Sequence, residues 1–155
     1  MRVRFVVADE CEARFYDLER FDGPLKLAGK ITDPQAHLHD RDFKSDRPGR
    51  LFDHAAGSGR RGAVAHHGTN GERRPRKHEA VLFARQIALE LERAHREDRF
   101  DRLILAAGPP FLGVLRPALE KVFHSQIAAE IPKDLVHEPE RQLSAHLSRD
   151  TFSAL

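Results

Sequence analysis

This chain of 155 residues has one cysteine, Cys11, and no tryptophan. One cysteine excludes an internal disulfide framework and any zinc site built from several thiolates. Long hydrophobic runs are missing as well. No stretch reaches the roughly eighteen apolar residues that a membrane-crossing helix needs. The N-terminus, MRVRFVVADE, turns acidic directly after its apolar run and has no small-residue cleavage site, so it does not read as a signal peptide. The expected compartment is therefore the cytoplasm. Charge of one sign is not in excess overall: the formal net charge is only +2. What is present is a 40% apolar and 32% charged composition, which suits one soluble domain with polar loops. That domain is expected over residues 1–150, with 151–155 as a C-terminal tail.

The distribution of charge is more informative than its sum. Between residues 44 and 77 lie nine basic residues (Lys44, Arg47, Arg50, Arg60, Arg61, Arg73, Arg74, Arg76 and Lys77) against Asp46, Asp53 and Glu72. The segment thus carries +6 and leaves about −4 for the remainder. It is rich in glycine, holds or adjoins His54, His66, His67 and His78, and has few large apolar residues, so it reads as a loop. A loop this long is either solvated and mobile or functional. A basic, Gly-rich arm is suited to docking on phosphates.

Around that loop the pattern predicts an α/β domain. Residues 3–8 form a buried strand, and residues 13–18 and 25–31 continue it as an antiparallel meander around the turn Phe21-Asp22-Gly23-Pro24. Residues 78–96 give the clearest helix, with Ala80, Phe83, Ala84, Ile87, Ala88, Leu91 and Ala94 on one stripe. Glu92 and Arg96 are placed to pair on its wet side. Residues 103–107 form a strand covered on both faces. Residues 111–123 are helical, with Leu112, Leu115, Leu119 and Val122 inward and Pro117 expected to break the run in two. Residues 126–131 form a last strand, and residues 139–147 a last helix opened by Pro139. The order is three strands, helix, strand, helix, strand, helix, which predicts a mixed sheet and a ribonuclease-H-like topology.

That topology raises metal-dependent nuclease chemistry, which needs several carboxylates converging on divalent ions. Asp9 ends the first strand, and Glu79 or Glu90 would have to come from the main helix. The neighbouring strand ends in Ala106-Ala107-Gly108, where a second acid is wanted, and a single acid at a strand end usually caps a turn. The junction ILAAGPPFLGVLR, residues 104–116, has the place of a phosphate loop but not its chemistry. Pro109 and Pro110 have no N–H to offer, and Phe111, Leu112 and Gly113 add no charge or hydroxyl. It reads as a stiff turn with Phe111 and Leu112 packed inward and Gly113 permitting close backbone approach. Gly57-Ser58-Gly59 lacks the spacing of a nucleophile elbow. Cys11 lies between Glu10 and Glu12, which discourage a thiolate. His37 and His39, or His66 and His67, do not make a zinc set. No metal and no cofactor is expected.

Four segments occur in order: Asp46-Arg47-Pro48-Gly49-Arg50, the run through Phe83, Ala84 and Ile87, the stretch ILAAGPPFLGVLR with Pro109, Pro110, Phe111, Leu112, Gly113 and Arg116, and Ile131-Pro132-Lys133-Asp134-Leu135. Together they resemble the bacterial family known as protein required for attachment to host cells. The resemblance covers almost the whole chain, and these signature residues read as mostly structural. That family is similar in turn to the middle domain of archaeal and eukaryotic class-1 peptide-chain release factors. There a basic, Gly-rich loop ending in Gly-Gly-Gln leads into a helix and reaches the peptidyl-transferase centre. The matching region here reads GTNGERRPRKH and then KHEAVLFARQIALE, without Gly-Gly-Gln. The resemblance thus implies docking without release-factor hydrolysis. The expectation is a non-catalytic intracellular module of the host-attachment family that docks on ribosome or RNA through Arg60, Arg61, Arg73, Arg74, Arg76 and Lys77 and affects attachment indirectly. The alternative is a hydrolase, nuclease-like or peptidyl-tRNA hydrolase-like, built on Asp9 and the His-rich loop.

Overall fold

β1 (Val3–Ala8) is buried along its whole length because it is paired on both sides and covered on both faces. Its antiparallel neighbour is β2 (Glu12–Leu18), and β3 (Lys26–Thr32) pairs antiparallel with β2. On the other side β1 runs parallel to β4 (Arg102–Ala107), which runs parallel to β5 (Ile127–Ile131). The five-stranded mixed sheet has the order β3-β2-β1-β4-β5. Helix α1 (Asn70–Arg96) leads into β4, α2 (Pro109–Phe123) joins β4 to β5, and a single-turn α3 (Glu140–Leu143) continues as a 3-10 turn, Ser144–His146. The structure, a computed structural model, describes residues 1–20, 23–33, 70–148 and 151.

Alternation along the strands divides the core into two layers. Val6, Ala8, Ala13, Phe15, Leu103, Leu105 and Ala107 face α1 and α2. Val3, Phe5, Val7, Tyr16, Leu18, Ile104 and Ala106 face the opposite way, where Leu135, Val136, Leu143 and Leu147 cover them. The α/β class, the meander and the apolar stripe of α1 all agree with the sequence, and all seven stripe residues from Ala80 to Ala94 are buried. Among the described residues charge enters the core once. Arg4 is buried across from Asp17, bonded through Nε and Nη2 at 2.8 and 3.0 Å, with its guanidinium 5.2 Å from the Phe100 ring centre. Both partner and π face offset the cost of taking that cation out of water.

Three expectations need correction. Pro117 does not divide α2, which is one helix of 15 residues. An interior proline costs about 3 kcal/mol. Phe111, Leu112, Leu115, Leu119 and Phe123 are all buried along that helix, and each contributes roughly 1.5–3 kcal/mol when fully buried. Packing on both sides of Pro117 therefore outweighs the lost hydrogen bond. The phase of this stripe puts Phe123 inside and leaves Val122 44% exposed, against the inward placement read for Val122. Gly113 is not needed for close approach either, since a Cβ there would meet nothing within 4 Å. Gly23 is the tight position: a Cβ would lie 3.0 Å from Arg20 Cγ and 3.1 Å from its carbonyl oxygen.

The C-terminal helix is also shorter than the expected 139–147. Pro139 stands at its cap, and after Leu143 the chain tightens, with the Leu147 N–H donating to the Ser144 carbonyl at 3.1 Å. The Ser144 hydroxyl turns back to the Arg141 carbonyl at 3.3 Å, competing with the helical ladder. His146 Nε2 meets Glu138 Oε2 at 2.8 Å and closes the segment on itself.

Candidate functional site

α1 starts at Asn70, eight residues before the expected start at His78. Arg73, Arg74, Arg76 and Lys77 are therefore on a helix and not on the loop they were assigned to. Glu72, the arginines and Lys77 are ordinary helix formers, but no apolar period runs through them, so a hydrophobic pattern cannot find this end. Among the described side chains of α1 the first buried one is Ala80, and Lys77 and His78 are exposed. Arg60 and Arg61 lie outside the described residues, as do Asp46, Arg47, Pro48, Gly49 and Arg50.

This cationic end is electrostatically costly. The N-terminus of a helix carries about half a positive charge and favours acids, whereas cations favour the C-terminus. The C-terminus of α1 follows that rule, with Arg93, His95 and Arg96 in its last turn. Arg73 and Arg74 oppose it at the other end. Lys77 has no carboxylate partner among the described residues. Helical stability does not account for these cations, while a bound anion would be favoured by both the side chains and the dipole.

The signature residues fall elsewhere and mostly hold the frame. Pro109 and Pro110 open α2, whose first bond runs from the Leu112 N–H to the Gly108 carbonyl at 2.9 Å. Phe111 and Leu112 are buried, as read. Arg116 Nε donates to Glu130 Oε1 at 2.9 Å and ties α2 to β5. The hydrogen bond Arg116 donates to Glu130, and then the Glu130 charge, hold Arg116 further above the ordinary arginine range. Leu135 is buried beneath the second face, while Lys133 and Asp134 are exposed and make a turn. In that turn the Lys133 N–H donates to the Ile131 carbonyl at 2.8 Å and the Val136 N–H to Asp134 Oδ1 at 3.3 Å.

Two of these segments meet at the carboxyl ends of the parallel strands. A Cβ on Gly108 would lie 3.7 Å from Asp134 Cβ. Asp9, Glu10, Cys11, Gly108, Pro110, Phe111 and Asp134 line a cleft of about 270 Å³ there. It lies where the connections leave β1 and β4 in opposite directions, the place where open α/β sheets commonly take ligands. Its carboxylates are partly engaged, however. Asp9 Oδ1 accepts the N–H groups of Cys11 and Glu12, both at 2.7 Å, which makes Asp9 the cap of the β1–β2 turn. Asp9 Oδ2 faces His137 Nε2 at 3.7 Å. Glu90 is bonded to Arg93 at 2.6 Å, and Arg96 reaches the backbone carbonyl of Glu92 at 3.4 Å in place of the expected side-chain pair. Among the described residues, no three His, Cys, Asp or Glu side chains gather as a metal site. The histidines at 37, 39, 54, 66 and 67 lie outside the described residues.

A wider groove of about 890 Å³ opens between Pro24 and the C-terminal turn, lined by Glu140, Arg141 and Ser144 among others, and it contains none of the expected site residues. Sequence reasoning missed two participants: Glu130, which fixes Arg116, and His137, which faces Asp9. Glu130 sits on a strand whose neighbour in space is set by the parallel crossover, and His137 follows a signature segment without belonging to it. No local signal marks either. Among the described residues no helix is long and apolar enough to cross a membrane.

Comparison with known proteins adds the family. A search of curated proteins finds no match. The family model described as protein required for attachment to host cells matches residues 5–147, from β1 through the C-terminal turn. Nearly the whole sheet and both of its covering layers fall within that match, so this chain belongs to the family of proteins required for attachment to host cells.

Proposed function

We propose that this chain is a non-catalytic, intracellular binding module of its family that docks on RNA, of the ribosome or free, and influences attachment to a host indirectly. One observation supports this above the others. Four cations, Arg73, Arg74, Arg76 and Lys77, occupy the start of α1, where the helix gains nothing from them. They follow a segment already rich in arginine, and their position suits phosphate oxygens approaching the helix end. The strand order β3-β2-β1-β4-β5, with β2 alone reversed, supports the ribonuclease-H-like reading of the topology. A helix entered from a basic segment supports the likeness to the release-factor middle domain. Without Gly-Gly-Gln, the module binds and does not hydrolyse peptidyl-tRNA.

The test is binding of the full chain to purified ribosomes and to total RNA across a salt series. Affinity should fall steeply as salt rises, because each neutralised phosphate releases counterions. Replacing Arg60, Arg61, Arg73, Arg74, Arg76 and Lys77 by alanine should abolish binding and leave the fold intact. Undetectable binding at low salt, or unchanged binding by the sixfold variant, would falsify the reading.

A further inference from the structure

The solvent face of α1 beyond Lys77 is also cationic, and its geometry is fixed. Leu82, Arg85, Leu89, Arg93 and Arg96 are all exposed, on the side opposite the buried stripe. Glu90 and Glu92 are half-buried at the margins of this face, and Glu90 is taken up by Arg93; just past the helix end Glu97 and Asp98 are exposed, with Glu97 paired to Arg99 at 3.3 Å. Arg85 has no carboxylate partner among the described residues. Arg85 and Arg96 stand about 16 Å apart along the axis at 1.5 Å per residue and within about 20° of one another around it, while Lys77, about 12 Å before Arg85, is turned away by roughly 80°. Ala80, Ala84, Ile87, Leu91 and Ala94 pin this part of the helix to the sheet, so Arg85 and Arg96 form a rigid pair.

Resting on the RNA reading above, we propose that the partner is a double-helical region of RNA, held by its phosphate backbone along the solvent face of α1, with Arg85 and Arg96 as contact residues. Charge complementarity and rigidity carry this choice. A duplex presents phosphates at set positions to two rigidly spaced cations on one helix face, and double-stranded RNA is recognised mainly by shape, phosphate and 2′-hydroxyl contacts. A single strand has to be ordered, and proteins usually achieve that by stacking bases on exposed aromatic rings. The seven aromatic side chains among the described residues, Phe5, Phe15, Tyr16, Phe83, Phe100, Phe111 and Phe123, are all buried in the core. Leu82 and Leu89 are apolar but not stacking platforms, and isolated exposed leucines are ordinary on helices.

The full chain is tested against an RNA duplex of about 16 base pairs, each of its strands alone, and a DNA duplex of the same sequence, over a salt series. The RNA duplex should stay bound at salt concentrations that strip the single strands. The Arg85→Ala/Arg96→Ala variant should reduce the slope of log affinity against log salt by about two, with an unchanged thermal transition. Single strands binding as tightly as the duplex would overturn this inference and leave the RNA reading standing. A tighter DNA duplex, or an unchanged slope in the arginine variant, would also overturn it. If no RNA binds at low salt, both readings fall together. Loss of duplex binding in Leu82→Gln/Leu89→Gln, with the arginine variant silent, would place the contact on the leucines and refute the phosphate contact.

Discussion

The two ends of α1 belong to one helix but obey different rules. From Ala80 to Ala94 every third or fourth side chain is buried against the sheet and α2, and the C-terminus ends in cations that suit the dipole. Asp98 closes it in a left-handed conformation with φ of 53°. The Asp98 and Arg99 N–H groups reach back to the carbonyls of His95 and Ala94 at 3.0 and 2.9 Å, the pairing of a Schellman cap. From Asn70 to Lys77, by contrast, cations stand where acids would stabilise. From Ala80 onward packing explains the buried stripe and leaves only Arg85 and Arg96 on the solvent face for a partner. The first two turns carry a charge pattern that packing does not explain at all, and that contrast separates folding from function within a single element.

The comparison can be broken most forcefully at the packed half. Phe83 is 1% exposed and packs on Phe111 with ring centres 6.2 Å apart. Phe83→Ala should destabilise the chain by roughly 3–5 kcal/mol, through lost transfer energy and the cavity left behind. Urea denaturation followed by circular dichroism measures this. A loss below about 1 kcal/mol would mean that α1 is not the main cover of that face.

The basic half should respond with the opposite sign. Arg73→Glu with Arg74→Glu removes two cations from the unfavourable end of the dipole and replaces them with acids. Stability should rise by about 0.3–1 kcal/mol for each change, while RNA affinity falls. Stability and binding moving in opposite directions would identify these residues as kept for a partner. Both falling together would return them to a structural role.

How much of this could be read from the chain depends on which force sets each element. Val3–Ala8 was found to the residue, because a run buried on both faces has no ambiguity of phase. The stripe of α1 was equally plain. Its start was not, because Arg73 and Arg74 have helical preference without hydrophobic periodicity. Pro117 breaks a helix by local chemistry, but in α2 five buried side chains decide instead. The cleft of Asp9, Gly108 and Asp134 was invisible for a different reason. It is assembled from the ends of three strands that become neighbours only once the parallel crossovers are made. Arg60, Arg61 and the Asp46–Arg50 segment lie outside the described residues, so their part in the site rests on sequence alone.

At the far end of α1, Asp98 offers a smaller gain. A non-glycine residue in the left-handed region is tolerated best when it is Asn or Asp, and glycine is better still. Asp98→Gly should stabilise by about 0.4–1 kcal/mol, net of the extra backbone entropy of the unfolded chain. The Asp98 carbonyl that accepts the Arg2 guanidinium is kept. RNA affinity should change far less than in the Arg73 and Arg74 variant, since Asp98 is itself no cation and only adjoins the proposed contact Arg96. A shift in affinity equal to that of the Arg73 and Arg74 changes would erase the distinction between the two ends.

The smallest effect concerns acid, and it should map to β2 and leave α1 silent. Glu12 is pulled up by burial, but hydrogen bonds from Arg14 and Lys30, together with their charges, outweigh that and hold it below its ordinary value of 4.5. A carboxylate whose folded value lies below its unfolded one binds fewer protons in the native state over that window. Its stabilising contribution is therefore complete above the unfolded value near 4.5 and is lost as pH falls through the folded one. Glu12→Gln should lower stability at neutral pH and flatten the fall in stability below pH 4.5. Arg73→Glu and Arg74→Glu should leave the contribution of Glu12 unchanged, since they stand on a different element. Denaturation midpoints measured against pH for the three proteins decide the matter. If Glu12→Gln keeps the full acid slope, the Arg14 and Lys30 contacts do not hold in solution, and the acid response must come from carboxylates elsewhere.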